Sequence, residues 1–117
     1  MSFTRGWDPL RPGDFSALWG HLVLEHLQAH FPDTPVSYWR DRLGREVDFV
    51  IARHRDDVDA IECKWDQSAF DGSATTLFRK DHPKGRNYLV TPGDEMPFDT
   101  RYRGLAVRVC SPAGLRR

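Results

Sequence analysis

Asp48, Glu62 and Lys64 are the residues of this chain whose types and spacing best fit a reaction centre. They fall in two short segments, Glu46-Val47-Asp48-Phe49-Val50-Ile51 and Ala60-Ile61-Glu62-Cys63-Lys64-Trp65, with polar residues 53–57 between them. Two carboxylates hold a hard divalent cation through oxygen, and the backbone carbonyl of Cys63 could add a ligand. Mg²⁺ completes such a shell with water and phosphate oxygens. The metal activates a water and stabilises charge on the phosphate. Lys64 could orient or deprotonate that water, or neutralise the transition state. These are the minimum parts for metal-assisted phosphodiester hydrolysis. The same residues also read as a solvated charged face, because Glu46 with Lys64 and Arg40 with Glu46 make ordinary cross-strand pairs.

For these groups to meet, the two segments must be neighbouring strands. Side chains alternate faces along a strand. Glu46, Asp48 and Val50 then share one face, and Val47, Phe49 and Ile51 the other. Val58, Ala60, Glu62 and Lys64 share a face opposite Ile61, Cys63 and Trp65. Paired residues of an antiparallel hairpin have a constant sum. Pairing Asp48 with Glu62 centres the turn on Arg55, beside Asp56 and Asp57, and sets Glu46 opposite Lys64 and Val50 opposite Ala60. An earlier turn centred on Leu43 sets Tyr38 opposite Asp48 and Arg40 opposite Glu46. One face thus carries two rows, Tyr38-Asp48-Glu62 and Arg40-Glu46-Lys64, with Glu46 and Arg40 as supporting residues.

The remaining elements follow from periodicity and punctuation. Residues 1–13 read as an irregular lead. Asp14 is a suitable N-cap for a helix whose apolar stripe is Phe15, Leu18, Trp19, Leu22, Val23 and Leu27. Pro32 and Pro35 end it. Strands are expected at 36–40, 45–53 and 58–65, a short helix at about 74–81, and strands at 87–91 and 105–110. Residues 94–103 read as a charged loop and 112–117 as a frayed tail. The order predicts one α/β domain over residues 1–117, a mixed sheet flanked by helices.

Bulk properties narrow the function classes. Among 117 residues the formal net charge is zero, so a nucleic-acid role must rest on a local patch rather than on overall basicity. No apolar leader or membrane span is legible, and Cys63 and Cys110 stand in no metal spacing. A cytoplasmic protein with two reduced thiols is expected. There is no Gly-x-x-x-x-Gly-Lys-Ser/Thr loop, hence no nucleotide cofactor by that route.

The arrangement resembles the PD-(D/E)XK nuclease superfamily, whose pattern of an acidic residue on the second strand and (D/E)-x-K on the third matches Asp48 and Glu62-Cys63-Lys64. More narrowly, Tyr38-Trp39-Arg40-Asp41-Arg42, Glu46 to Val50 and Ile61 to Lys64 are similar to the C-terminal domain of unknown function on archaeal-type AAA ATPases. Arg5-Gly6-Trp7, Leu10-Arg11-Pro12 and Leu18-Trp19 to Leu27 fit as well. The resemblance implies a restriction-endonuclease-like core and a Mg²⁺- or Mn²⁺-dependent DNA nuclease. Asp48, Glu62 and the Cys63 carbonyl would be metal ligands, and Lys64 the third catalytic residue. The alternative is a catalytically inactive module that binds DNA, an AAA ATPase in trans or a copy of itself. One departure stands out. The family places a glutamate in the first helix just after Leu-Trp, where this chain has Gly20. Glu25 lies five residues on, about 140° around the axis, and cannot replace it.

Arg42 and Arg45 beside the first hairpin, and Lys80 and Lys84 around the second helix, are the candidate phosphate contacts. The last two also fit a solvated face. His26 reads as a packed histidine. Trp39 and Trp65 are expected on the sheet face opposite the acidic residues.

Overall fold

A computed structural model describes residues 12–93 and 96–115, with side chains described from Ser16 onward. The expectations for residues 1–11 and 116–117 lie outside the described residues. Helix α1 spans Pro12–His30 and is followed by strands β1 (Val36–Arg40), β2 (Glu46–Ala52) and β3 (Val58–Cys63). Helix α2 (Ser73–Asp81) and strands β4 (Asn87–Val90), β5 (Phe98–Tyr102) and β6 (Leu105–Cys110) complete the domain. The six strands form one mixed sheet in the order β1-β2-β3-β4-β6-β5, with β3, β4 and β6 parallel and the other pairs antiparallel. This is the expected α/β architecture with one more strand. Among the described residues no helix is long and apolar enough to cross a membrane.

Strand ends differ from the sequence reading by one or two residues, β3 stopping at Cys63 rather than Trp65, and three differences are larger. First, α1 begins at Pro12 rather than Phe15, because proline's fixed φ and missing N–H suit a first helical turn. Asp14 is therefore inside the helix and not its cap. Second, residues 112–114 form a 3-10 turn and Leu115 is buried, so the tail is packed at least that far. Third, residues 98–102 are a strand where a charged loop was expected. Phe98-Asp99-Thr100-Arg101-Tyr102 alternates as a strand does, but the many charges between residues 94 and 103 give the stretch the look of a loop; it pairs with β6 through a two-residue turn. Arg103 and Gly104 both have positive φ, 52° and 83°, as a tight hairpin of matching twist requires.

The sheet is covered on both faces. Trp19, Val23 and Leu27 of α1 pack on Ile51, Ile61, Cys63, Tyr88, Val90 and Cys110. The Trp19 indole donates to the Val90 carbonyl at 3.0 Å, tying the helix to the end of β4. Leu18 and Leu22, expected in this stripe, are each 45% exposed. They stand one position off the Trp19-Val23-Leu27 row, about 100° around the axis. On the other face Ala74 and Phe78 of α2 pack on Val47 and Ala60.

The connection from α2 to β4 is held by a residue the sequence reading passed over. Arg79 is only 9% exposed. Its guanidinium donates to the carbonyls of Val58, His82, Lys84 and Arg86 and to Asn87 Oδ1, at 2.8–3.1 Å. Burial lowers its pKa, offset by Asp59 and Asp57. Replacing it by alanine strands several buried acceptors at once. Arg79→Ala is expected to lose about 3 kcal/mol or more of stability, read as a shifted denaturant midpoint.

Candidate active site

The β2–β3 ladder has the register that the turn residues predicted. Val50 pairs with Ala60 and Phe49 with Ile61, and the Arg53 N–H closes the loop on the Asp57 carbonyl at 2.8 Å. The ladder stops at Phe49–Ile61. One step further the Cys63 N–H is taken by the Asp48 carboxylate, Oδ2 at 2.8 Å, rather than by a backbone carbonyl of β2. Lys64 N–H turns the other way, to the Val90 carbonyl of β4 at 3.1 Å. The two strands therefore separate where the carboxylates are.

A bulge contributes to that opening. Along β1 the register shifts between Ser37 and Trp39, so that Asp48 and Phe49 together face Tyr38. The expected Tyr38–Asp48 pair is thus replaced by a bulge, while Arg40–Glu46 pairs as expected. An extra residue reverses the alternation. Val47 and Val50 both pack on the α2 side, whereas Phe49 and Ile51 pack on the α1 side. Asp48 stands at the change of phase and lines clefts on both sides of the sheet. The same shift moves Trp39. It packs edge-on against Phe78 of α2, on the side that Glu62 faces rather than the opposite one. Trp65 lies as expected on the α1 side, edge-on to Trp19 at 6.1 Å between ring centres.

Glu62 follows strict alternation with Ala60 and points towards α2, where the Thr75 hydroxyl donates to Oε2 at 2.9 Å. It is 6% exposed. Burial, and then the Asp48 charge, push its carboxyl up to about 7 against the opposing pull of Thr75 and Lys64. Burial likewise raises Asp48, opposed by the Cys63 N–H and Lys64. Each carboxylate thus has one oxygen fixed by a hydrogen bond. Among the described residues no hydrogen bond engages the other, Asp48 Oδ1 or Glu62 Oε1. Both carboxyls, Glu62 buried and Asp48 half-buried, hold a proton more tightly than a free carboxyl despite Lys64, and a hard cation can take the place of that proton. The donor set fits Mg²⁺ or Mn²⁺ with most of the shell left to water and phosphate. Among the described residues no cluster of three or more His, Cys, Asp and Glu side chains forms.

A pH-dependent stability follows from Glu62. Its folded pKa lies above the ordinary 4.5, so the native state holds the proton more tightly than the unfolded chain does. The corresponding stability is full below about pH 4.5 and is lost as pH rises through about 7. Glu62→Gln, which never ionises, is expected to unfold later than the parent at pH 8 by about 2 kcal/mol and equally at pH 4. Thermal denaturation at the two pH values checks this.

The cleft on the α2 side, of roughly 330 Å³, is lined by Asp48, Glu62 and Lys64 with Arg45, Asp71 and Ser73 among others. At about 30 Å³ per water it has room for a phosphodiester and several waters. Lys64 is half-buried at its mouth. Glu46, expected opposite Lys64, instead pairs with Arg40, whose Nε and Nη2 donate to Glu46 Oε2 at 3.1 and 2.9 Å. Arg45 also reaches the cleft but is held by Asp41 at 2.7 Å. Asp41 additionally accepts the N–H groups of Leu43 and Arg45 and so shapes the first hairpin. Arg42, Lys80 and Lys84 are exposed and do not line this cleft. His26 is partly buried and stacks on His30 at 4.0 Å. The Cys63 thiol faces the α1 core and is raised by burial, as fits an inert thiol.

Sequence reasoning missed Thr75, Asp71 and Ser73. A Thr in the first turn of a helix expected beside the third strand was the available signal for Thr75. It also missed what surrounds Gly20. That residue lines the cleft on the α1 side with Ser16, Ala17, Asp48, Phe49, Cys63 and Lys64, and a Cβ placed on it meets nothing within 4 Å.

Comparison with known proteins adds two findings. No curated protein matches the chain. A solved structure, the refined half-complex from the tetradecameric assembly of Thermococcus gammatolerans McrB AAA+ hexamers with bound McrC, contains a chain of similar fold. The TM-score is 0.59 at 12% identity, over 89% of this chain and 30% of that one. This chain therefore spans under a third of that match, which speaks for the fold alone. Residues 15–109 match the domain of unknown function DUF4143. Because the match runs over most of its length, the chain belongs to the DUF4143 family.

Proposed function

We propose that this domain is a PD-(D/E)XK-type DNA phosphodiesterase of restriction-endonuclease-like fold that uses Mg²⁺ or Mn²⁺. The observation that carries the reading is the pair of carboxylates, half-buried Asp48 and buried Glu62, each with one oxygen tethered and one open, beside Lys64 in a cleft where two strands part. Asp48, Glu62 and the Cys63 carbonyl would hold the cation. Bound there, it supplies an acidified water and stabilises charge on the phosphate. The Lys64 ammonium donates to a phosphate oxygen or orients the attacking water. Thr75 and the Cys63 N–H keep the two carboxylates aimed. Arg45 is placed to hold a neighbouring phosphate once its link to Asp41 opens, and Arg42, Lys80 and Lys84 are candidates for phosphates further along the strand. Incubation of the purified protein with supercoiled plasmid and branched DNA plus Mn²⁺ tests this. Cleavage that requires the metal and disappears in Asp48→Asn is expected. Its absence from an active-metal series would refute an enzymatic role.

A second reading has its own observation. Position 20 offers space beside Asp48 and Lys64 but no carboxylate. In this reading the domain is catalytically silent and binds DNA or docks on an AAA ATPase in trans. The solved chain of similar fold belongs to an AAA+ assembly by its title. This reading predicts metal-independent binding that Asp48→Asn leaves unchanged.

A further inference from the structure

We infer that two copies of this domain join edge to edge through β5, making one continuous antiparallel sheet about a twofold axis at Thr100. β5 is the outer strand at the end of the sheet opposite β1. Its backbone polarity can be assigned. The two-residue turn Arg103-Gly104 makes Tyr102 and Leu105 a hydrogen-bonded pair, and such pairs recur every second residue. Phe98, Thr100 and Tyr102 thus direct their backbone groups to β6. The Ala106 carbonyl agrees, since it faces the other way and accepts from Asn87 Nδ2 at 3.0 Å. Asp99 and Arg101 therefore turn N–H and C=O outward, a row that is unpaired among the described residues and of the kind that recruits another strand.

The side chains select both the partner and the register. Only outward-facing residues can bond across the new seam. Placing the axis at Asp99 or at Arg101 sets like charges opposite each other, which is destabilising. Placing it at Thr100 sets Asp99 opposite Arg101 of the second copy, and Arg101 opposite its Asp99. Asp99 already accepts from Arg108 on β6 at 2.9 Å, so charge alternates along the row from Arg108 to Asp99 to the second copy's Arg101. On the other face the same register sets Phe98 opposite Tyr102 and Thr100 opposite Thr100. These aromatic and threonine pairs are both favourable across antiparallel strands. Phe98 is 38% exposed in the single chain and gains cover from that pairing. Pro97, with no N–H to offer, ends the seam. A seam this short lies at the weak end of protein interfaces, with a dissociation constant on the order of 0.1 mM.

Sedimentation velocity of the full chain, in a concentration series reaching about 1 mM, tests the inference. A monomer–dimer equilibrium that weakens with salt is expected. Arg101→Glu should weaken the dimer roughly tenfold or more, since two attractive cross-strand pairs become repulsive. The charge-swapped variant Asp99→Arg with Arg101→Asp and Arg108→Asp, which also keeps the pair across to β6 attractive, should restore it. Thermal unfolding curves confirm that each variant folds. A chain that stays monomeric throughout the series overturns the inference. So does a dimer indifferent to Arg101→Glu, or one that the swap fails to rescue in folded protein. The seam is three strands from β3, so these variants should leave metal-dependent cleavage unaltered. The inference stands apart from the proposed reaction.

Discussion

Lys64→Ala is expected to lower metal-dependent DNA cleavage by two to four orders of magnitude, the usual worth of a positioned proton-transfer or charge-stabilising group. Mn²⁺ affinity should stay within about threefold of the parent, because Lys64 is not among the ligands. The asymmetry follows from geometry. Asp48 and Glu62 are tethered by the Cys63 N–H and the Thr75 hydroxyl, neither of which depends on the lysine side chain. Lys64 itself takes its place from its backbone bond to Val90 at the parting of the strands. Lys64→Arg separates its two roles. It keeps the charge but, as a guanidinium, cannot give up or take a proton in the reaction, so substantial retained activity would identify Lys64 as an electrostatic rather than a proton-handling residue. Single-turnover cleavage and calorimetric Mn²⁺ titration of the three proteins provide the comparison. An alanine variant that cuts as well as the parent would remove Lys64 from the reaction.

Gly20→Glu is expected to bind Mn²⁺ at least tenfold more tightly than the parent, about 1.4 kcal/mol, and to raise cleavage at limiting metal. The cleft beside position 20 contains Asp48, Cys63 and Lys64, and a Cβ placed there meets nothing within 4 Å. A glutamate there adds a third carboxylate to a site with two. It also replaces glycine inside α1, worth roughly 0.5 kcal/mol of helix propensity. Without metal the added charge works the other way, because three neighbouring carboxylates hold their protons more tightly. The gain in affinity should therefore grow from pH 6 to pH 8, as Glu62, with its pKa of about 7, gives up its proton. Gly20→Gln is the control, equal in shape and helix propensity but with no charge, and its Mn²⁺ affinity should match the parent's. A glutamate variant no better than the glutamine one would show that the α1 side of the cleft does not face the cation.

What could be read from the chain and what could not divide along physical lines. The β2–β3 register was legible because the turn residues 53–57 fix its centre. The α1 row Trp19-Val23-Leu27 was legible from its helical period. The bulge at Asp48-Phe49 was not. Glu46 to Phe49 alternates plainly and the apolar run Phe49-Val50-Ile51 fits a strand covered on both faces, so the extra residue is visible only once β1 is laid alongside. It is also what moves Trp39 to the α2 side and opens Asp48 to both clefts. β5 escaped because its outer face is charged and its partner is reached through a turn signalled only by Gly104. Arg79 escaped for a different reason. A basic residue in a run with Lys80, His82, Lys84 and Arg86 looks solvated, and only the path of the chain back over it shows that it is buried among carbonyls.

The central claim is that Asp48 and Glu62 together hold a divalent cation beside Lys64. Crystals of the protein grown or soaked with Mn²⁺ and measured for anomalous scattering test it most directly. The account predicts a single strong peak in contact with the carboxylates of both Asp48 and Glu62, absent in Asp48→Asn. A peak bound elsewhere, or none at millimolar Mn²⁺ and pH 8 where Glu62 is ionised, would contradict it.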